Sequence, residues 1–395
     1  MSREIYLVAA TRTPVAKRHG VMKTARPDDL LAHVLKCLLQ LAPQMDPQAI
    51  GDVIIGCAIP EAEQGLNVAR NASLLAGISV SVPAYTLNRF CASGVQAISD
   101  AAMRIRLGEA DVMVAGGVES MSVMSQMAGN TPRPNPRWFS QTEHHAIAYG
   151  MGLTAEKVAQ QYQISREDQD AFAQFSHEKA LSAQRDGKFL AEISPFEAEC
   201  RSPGENGQVN LSKRLITRDE GPREDSKREK LAKLKPAFAV HGSVTAGNSA
   251  QMSDGAAAVL LMSEEGLKRY QAEPIARLVA YRVAGVPPEV MGMGPVEAIP
   301  MAMKAAGWRQ EDLDWIELNE AFAAQALAVI RSLKLDTAVV NPLGGAIALG
   351  HPLGATGAIR CATILAAMQR NEAQRALIAM CIGTGMGAAC LLEKV

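Results

Sequence analysis

Two stretches of this 395-residue chain repeat the same order of elements, and that repetition limits the folds open to it more than any other feature. In the first, apolar alternation predicts a strand over residues 5–10 and a helix over 29–40, then a strand over 52–57, a helix near 67–75, and a third strand leading to Cys91. In the second, the pattern predicts a strand over 276–284, a helix near 295–306, a strand over 314–318, a helix over 321–333, and a strand near 337–340 leading to a glycine-rich turn at 344–357. Asp52 and Cys91 lie 39 positions apart, and Asp314 and His351 lie 37 apart. Each stretch then passes through a helix into an apolar strand that ends in glycines, at 111–117 and at 376–383. Such alternation specifies an α/β fold with parallel or mixed sheets covered by helices. Two similar halves would bring their strand ends to a shared seam, where ligands of such folds bind.

Residues 121–248 read differently. They are Met-rich at first and Pro-rich over 131–137, then helical from Thr154 and again from Ser165, whose spacing to Asp168 resembles a capping box. The expected division is an N-terminal half over 1–120, rejoined by 249–272 through a strand at 255–262, an insertion over 121–248, and a C-terminal half over 273–395.

Composition narrows the function classes. Apolar residues make up 48% and charged residues 21%, ordinary for a compact enzyme, and a formal charge of −1 gives no overall pull toward nucleic acid or an anionic membrane. Seven cysteines, at 37, 57, 91, 200, 361, 381 and 390, form no CxxC pair, which suits a reducing compartment. With no leader-like start and no apolar run long enough to span a bilayer, the expectation is a cytoplasmic protein.

Most cysteines and histidines in such a chain are packing. Cys37 and His33 fall on the helix over 29–40, Cys57, Cys361 and Cys390 sit in apolar runs, and His144, His145, His177 and His241 have no ligand spacing, so no metal site is expected. Cys91 differs, because an extended segment gives way there to a helical pattern. A helix N-terminus favours thiolate over thiol, so Cys91 is a candidate nucleophile; the alternative is a small residue needed for tight packing. His351, in Gly350-His351-Pro352, is a candidate base for its proton. The run Cys381-Ile-Gly383-Thr-Gly385-Met-Gly387 matches a dinucleotide fingerprint in form, but too little chain follows to build the required helix. Its glycines would instead leave backbone N–H groups beside a second thiol, as an oxyanion hole requires.

Four motifs, Asn88-Arg-Phe-Cys91-Ala-Ser-Gly94, Asn319-Glu-Ala-Phe322, Gly350-His351-Pro352 and Cys381-Ile-Gly383-Thr-Gly385-Met-Gly387, resemble the active-site motifs of the thiolases. Pro60-Glu-Ala-Glu-Gln64, Met151-Gly-Leu-Thr-Ala-Glu156, Leu234-Lys-Pro-Ala-Phe238 and Gly242-Ser-Val-Thr-Ala-Gly-Asn248 follow in family order. The resemblance implies a five-layered αβαβα fold with an inserted loop domain covering the substrate. It implies that Cys91 carries the acyl group, His351 activates it, and Cys381 exchanges the α-proton of the acetyl-CoA unit. Asn319 would hold a water that forms one oxyanion hole with His351, and the N–H groups of Cys91 and Gly383 would form the other. It implies coenzyme A and acetyl-CoA as substrates, no permanently bound cofactor, and a homodimer or homotetramer, with residues 121–137 a candidate contact between dimers.

Coenzyme A needs cations for its phosphates. From Lys213 to Lys235 there are nine Lys or Arg against five Asp or Glu, either a phosphate site or a solvated face, and the resemblance ranks Arg223 first. Met151, Ser249, Ala250 and Phe322 are the further candidates for contact with substrate. Two positions depart from the acetoacetyl-forming type: Gly150 stands where a histidine is common, and Ala250 where a serine usually touches the pantetheine arm, with Ser249 as its expected replacement. These changes favour thiolysis of longer 3-ketoacyl-CoA chains. The alternatives are an acetoacetyl-CoA-specific acetyltransferase, a decarboxylating condensing enzyme of the ketoacyl-synthase type, in which a second histidine or an asparagine would stand where Cys381 does, and a non-catalytic acyl-CoA-binding protein of the same fold.

Overall fold

The computed structural model describes residues 3–124, 134–140, 142–203 and 208–395. Its main strands are β1 (Tyr6–Arg12), β2 (Val53–Gly56), β3 (Ala84–Leu87), β4 (Val112–Ser120), β5 (Ser253–Met262), β6 (Ala276–Gly285), β7 (Trp315–Leu318), β8 (Arg375–Ile382) and β9 (Met386–Lys394). The main helices are α1 (Pro27–Gln40), α2 (Val68–Leu75), α3 (Ser93–Arg106), α4 (Met151–Gln161), α5 (Arg166–Arg185), α6 (Gly294–Ala306), α7 (Ala323–Leu333) and α8 (Leu353–Gln369). α1 begins two residues before the expected boundary because Pro27 occupies its first turn, where a missing N–H costs nothing, with Asp28 and Asp29 beside it. Ser165 caps α5 by accepting from the Asp168 N–H at 3.0 Å.

Across the sheet the order is β7-β8-β9-β6-β1-β5-β4-β2-β3. Outward from the centre, β1-β5-β4-β2 and β6-β9-β8-β7 run through the same sequence of pairings: antiparallel, antiparallel, parallel. The two halves meet at a short antiparallel contact, Tyr6 opposite Arg277 and Leu7 opposite Ala276. β5 thus returns to the N-terminal set and lies between β1 and β4.

Alternation along the strands sorts the side chains into three apolar cores. Val53 and Ile55 face α1 and α2, whereas Ile54 faces α3. In the other half Leu377 and Ala379 face α6 and α7, while Ile378 and Met380 face α8. α3 and α8 therefore form a middle layer between the two half-sheets, giving the expected αβαβα stack. Every residue from Gly354 to Met368 is buried, as a helix covered on all sides requires. The expected strand near 337–340 is a correction: it is reduced to one parallel bridge, Ile316 with Val340. The ladder stops because Asn341 turns at φ +46° and substitutes its side chain, Oδ1 accepting from the Leu318 N–H and Nδ2 donating to the Leu318 carbonyl, each at 2.9 Å. The expected turn at 344–357 is likewise a helical turn, Ala346–Leu349, followed by the start of α8.

Within 121–248, α4 and α5 pack on α7, and α5 also packs on the Ala346–Leu349 turn. A separate hairpin pairs Phe196–Pro203 with Val209–Ile216. The Arg12 guanidinium, buried beneath it, binds Glu192 at 2.6 Å and Asp219 at 2.7 Å and fixes this region to β1. The expected inter-dimer segment falls largely on 125–133, outside the described residues. No described helix is long and apolar enough to cross a membrane.

Candidate active site

Two helix starts touch at the centre of the molecule. A Cβ on Gly94, in the first turn of α3, would lie 2.8 Å from the Gly354 carbonyl oxygen and 2.9 Å from the Ala358 nitrogen, so only glycine allows this approach. Cys91 stands three residues before Gly94 and His351 three before Gly354. The cysteine and the histidine are therefore corresponding residues of the two halves, carried on adjoining turns.

The turn at Cys91 is held tightly. Phe90 adopts φ +44°, rare for a side chain of that size, and its N–H donates to Asn88 Oδ1 at 2.7 Å. Asn88 Nδ2 donates in turn to the Ala58 carbonyl at 2.9 Å, and the Ser93 hydroxyl donates to the Phe90 carbonyl at 2.6 Å. Burial pushes the Cys91 thiol up to about 12, against hydrogen bonding from the Gly383 backbone, which favours the thiolate. This corrects the expectation of a standing thiolate at the helix start. A helix terminus contributes at most about 2 kcal/mol, and the desolvation of a partly buried thiolate opposes it.

Cys381 is the penultimate residue of β8 and is fully buried; burial and then the neighbouring Cys91 raise its thiol. It packs with Met291, Ala321 and Phe322, and Phe322 meets Phe238 edge-on at 6.0 Å between ring centres. Gly383 opens the tight turn into β9, and a Cβ there would come within 3.6 Å of the Met151 sulfur and 3.9 Å of the Phe90 ring. Cys91, Cys381 and Gly383 thus lie close together, with Met151 and Phe90 against Gly383.

His351 is 6% exposed, and burial, with Arg360 adding to it, lowers its imidazole to about 3. Its Nδ1 lies 2.7 Å from Thr356 Oγ1, and its Nε2 lies 3.3 Å from Asn319 Nδ2. With the amide nitrogen donating, Nε2 accepts and Nδ1 carries the hydrogen, which is the neutral form of the ring. Asn319 Oδ1 is buried without a hydrogen-bond partner, a feature that asks for a ligand or water. Thr356 was not singled out from sequence, although it stands within the quoted glycine-rich run as its only hydroxyl.

The remaining candidates lie around this centre. Ser249 bridges to Phe322 and Ala250 N donates to the Ala321 carbonyl at 3.0 Å, so both line the Asn319–Phe322 segment. The Ser249 hydroxyl donates to the Thr245 carbonyl at 2.7 Å, which commits the hydrogen expected to replace the missing serine. Gln251 Nε2 joins the Gly221 carbonyl at 2.9 Å to those of Ile347 and Ala348, tying the loop before Arg223 to the His351 turn. Arg223 itself is exposed and pairs with Asp225 at 3.1 Å. Lys213 and Lys227 pair with Glu197 and Glu178, which lie outside this stretch and offset part of its positive excess, and Lys230 shares Asp225. Among the described residues no cluster of His, Cys, Asp or Glu could hold a metal ion.

Comparison with known proteins agrees with this geometry. Residues 5–265 match the family described as "Thiolase, N-terminal domain", and residues 272–394 match "Thiolase, C-terminal domain". The chain is 48% identical over 392 residues to the 3-ketoacyl-CoA thiolase of Bacillus subtilis, covering 99% of each. It is 43% identical over 408 residues to a beta-ketoadipyl-CoA thiolase of Acinetobacter baylyi, covering 100% of each. Among solved structures, it superposes on Bacillus anthracis acetyl-CoA acetyltransferase with a TM-score of 0.89 at 38% identity, covering 100% of this chain and 99% of that one. Human mitochondrial 3-ketoacyl-CoA thiolase gives 0.88 at 37%, with the same coverage. The chain belongs to the thiolase family.

Proposed function

We propose that this protein is an acyl-CoA:acetyl-CoA C-acyltransferase that cleaves 3-ketoacyl-CoA by thiolysis, or runs the reverse Claisen condensation, through an acyl-Cys91 intermediate. The observation that carries the reading is the meeting of a Cys91 sulfur facing the Gly383 backbone, a second thiol at Cys381, and a neutral His351 paired with Asn319.

In cleavage, the Cys91 sulfur attacks the 3-keto carbon as His351 Nε2 takes the thiol proton. The C2–C3 bond breaks, its electron pair passes to C2 as the enolate of acetyl-CoA, and Cys381 gives C2 a proton. Asn319, through a water, and His351 stabilise the enolate oxygen, while the Cys91 and Gly383 N–H groups stabilise the oxyanion formed on the attacked carbon. Incoming coenzyme A then loses its thiol proton to Cys381 and displaces Cys91, which recovers its own proton from His351. The neutral resting pair suits this order, because charge develops only as bonds change. The expected kinetics are ping-pong.

Longer 3-ketoacyl chains are the preferred substrates in this reading. Gly150 supports it: it leads into Met151, whose sulfur lies against Gly383, and carries no side chain where the acetoacetyl-forming type commonly has a histidine. An acetoacetyl-CoA-specific enzyme is the second reading, supported by the 42% identity to an acetyl-CoA acetyltransferase of Pseudomonas aeruginosa. Measuring kcat/KM for acetoacetyl-CoA beside C8 and C16 3-ketoacyl-CoA decides between them, and a clear C4 preference contradicts the first. We place the enzyme in the cytoplasm, in fatty-acid β-oxidation, as a homodimer or homotetramer with residues 121–248 covering the coenzyme A site. Strand β3 at the sheet edge and the exposed Leu66, Leu74, Leu75 and Val80 near it support self-association. Light scattering reads the assembly directly, and a monomer would contradict it.

A further inference from the structure

The near-symmetry of the halves assigns a partner position to each residue of the site. Gly56 pairs with Gly117 across β2–β4, and Leu318 pairs with Ala379 across β7–β8. One residue beyond the first strand of each pair are Cys57 and Asn319; two beyond the glycine and the alanine are Glu119 and Cys381. Each of these two also stands opposite a glycine of the next strand, Gly255 or Gly387. Where one half places an acid/base thiol, the other places a buried carboxylate.

Glu119 is 0% exposed and gathers donors from three parts of the chain. Oε2 accepts from the Ala58 N–H at 2.8 Å and the Gly354 N–H at 2.9 Å; Oε1 accepts from Gln64 Nε2 at 2.7 Å and the Ile59 N–H at 3.3 Å. The first turn of α8 has no side-chain cap of its own, so Glu119 supplies one from 235 residues away. That turn carries Thr356, which orients His351. On the other side, Ala58 accepts through its carbonyl from Asn88, which receives the Phe90 N–H next to Cys91. We propose that Glu119 is a positioning residue for acyl transfer: from the place that matches Cys381 in the other half, its carboxylate ties the turn carrying His351 to the turn carrying Cys91. This rests on the acyl-Cys91 reading above.

Glu119→Gln keeps the size of the side chain but turns one end into a donor, which faces N–H groups and releases at least one turn. The test compares wild type, Glu119→Gln and Glu119→Asp in thiolysis of a C8 3-ketoacyl-CoA, with thermal melting and the mass of the acylated Cys91 peptide. The expected result is a kcat lower by about 10–100-fold in Glu119→Gln, KM within about threefold of wild type, and part of kcat restored in Glu119→Asp. A folded Glu119→Gln with wild-type kcat overturns the proposal, as does a KM that rises with no loss of kcat. If Glu119→Gln does not fold, Asn88→Ala carries the test by cutting the link between Ala58 and Phe90. A lower kcat at unchanged KM then supports the clamp, and wild-type kcat overturns it. Absence of an acyl adduct on Cys91 in the wild-type enzyme would instead refute the proposed function itself.

Discussion

The N-terminal and C-terminal halves share a strand order and put different chemistry at matching places. Beyond β2 stands Cys57 and beyond β7 stands Asn319; near the ends of β4 and β8 stand Glu119 and Cys381; ahead of α3 and α8 stand Cys91 and His351. In the N-terminal half the strand ends are sealed, with Glu119 saturated by N–H donors. In the C-terminal half they are equally buried but less fully paired, with Asn319 Oδ1 unpartnered and Cys381 beside Cys91. Symmetry supplies a rigid frame, and reactivity arises where it is broken. In the proposed mechanism each half gives one residue to the nucleophile–base pair, but only one half gives the groups that handle the enolate.

The sharpest way to break this comparison is at the shared pair. Cys91→Ala should lower acyl transfer by about 10⁴-fold or more and leave no acyl adduct on mass spectrometry. A persistent adduct would place the nucleophile elsewhere. At the next level the matched residues Asn319 and Cys57 should behave differently. Asn319→Ala should cost about 10²–10³-fold in kcat through lost enolate stabilisation, whereas Cys57→Ala, which removes only a weak thiol contact of 3.8 Å to Glu119, should leave kcat within about threefold. Equal losses in steady-state assays would mean that the halves are not divided as described.

Acid stability separates the pair at Cys91 and His351 more finely. Burial lowers His351 to about 3 in the folded protein, below its unfolded value of about 6.5. Between those values the unfolded chain binds the extra proton, so stability falls as pH drops from about 6.5 toward 3. At pH 5 the loss from this one residue is about 2 kcal/mol. Urea unfolding at pH 7 and pH 5 should show it in wild type and a smaller loss in His351→Asn; an identical loss in both would contradict the burial of a neutral imidazole.

The repeated βα order was legible in the chain, and the candidate residues stood out because motif and element boundary nearly coincide at Cys91, His351 and Cys381. The strand near 337–340 was misread because the Asn341 side chain stands in for backbone pairing, which periodicity cannot register. At Cys91 the helix end is a local feature legible in the chain, while the burial that opposes a thiolate depends on the tertiary fold. Thr356 and Glu119 were passed over for the same reason: their partners are side chains and N–H groups brought together only by the α3–α8 contact. The hydroxyl commitment of Ser249 is likewise invisible until Thr245 is placed beside it.

The central claim is that two thiols from different halves divide the work, Cys91 holding the acyl group and Cys381 moving the α-proton. Its most direct test is Cys381→Ala incubated with acetyl-CoA in deuterated water, read by peptide mass spectrometry and by NMR of the acetyl methyl group. The account predicts acetylated Cys91 and loss of α-proton exchange. Exchange at the wild-type rate, or an acetyl group on any residue other than Cys91, would contradict it.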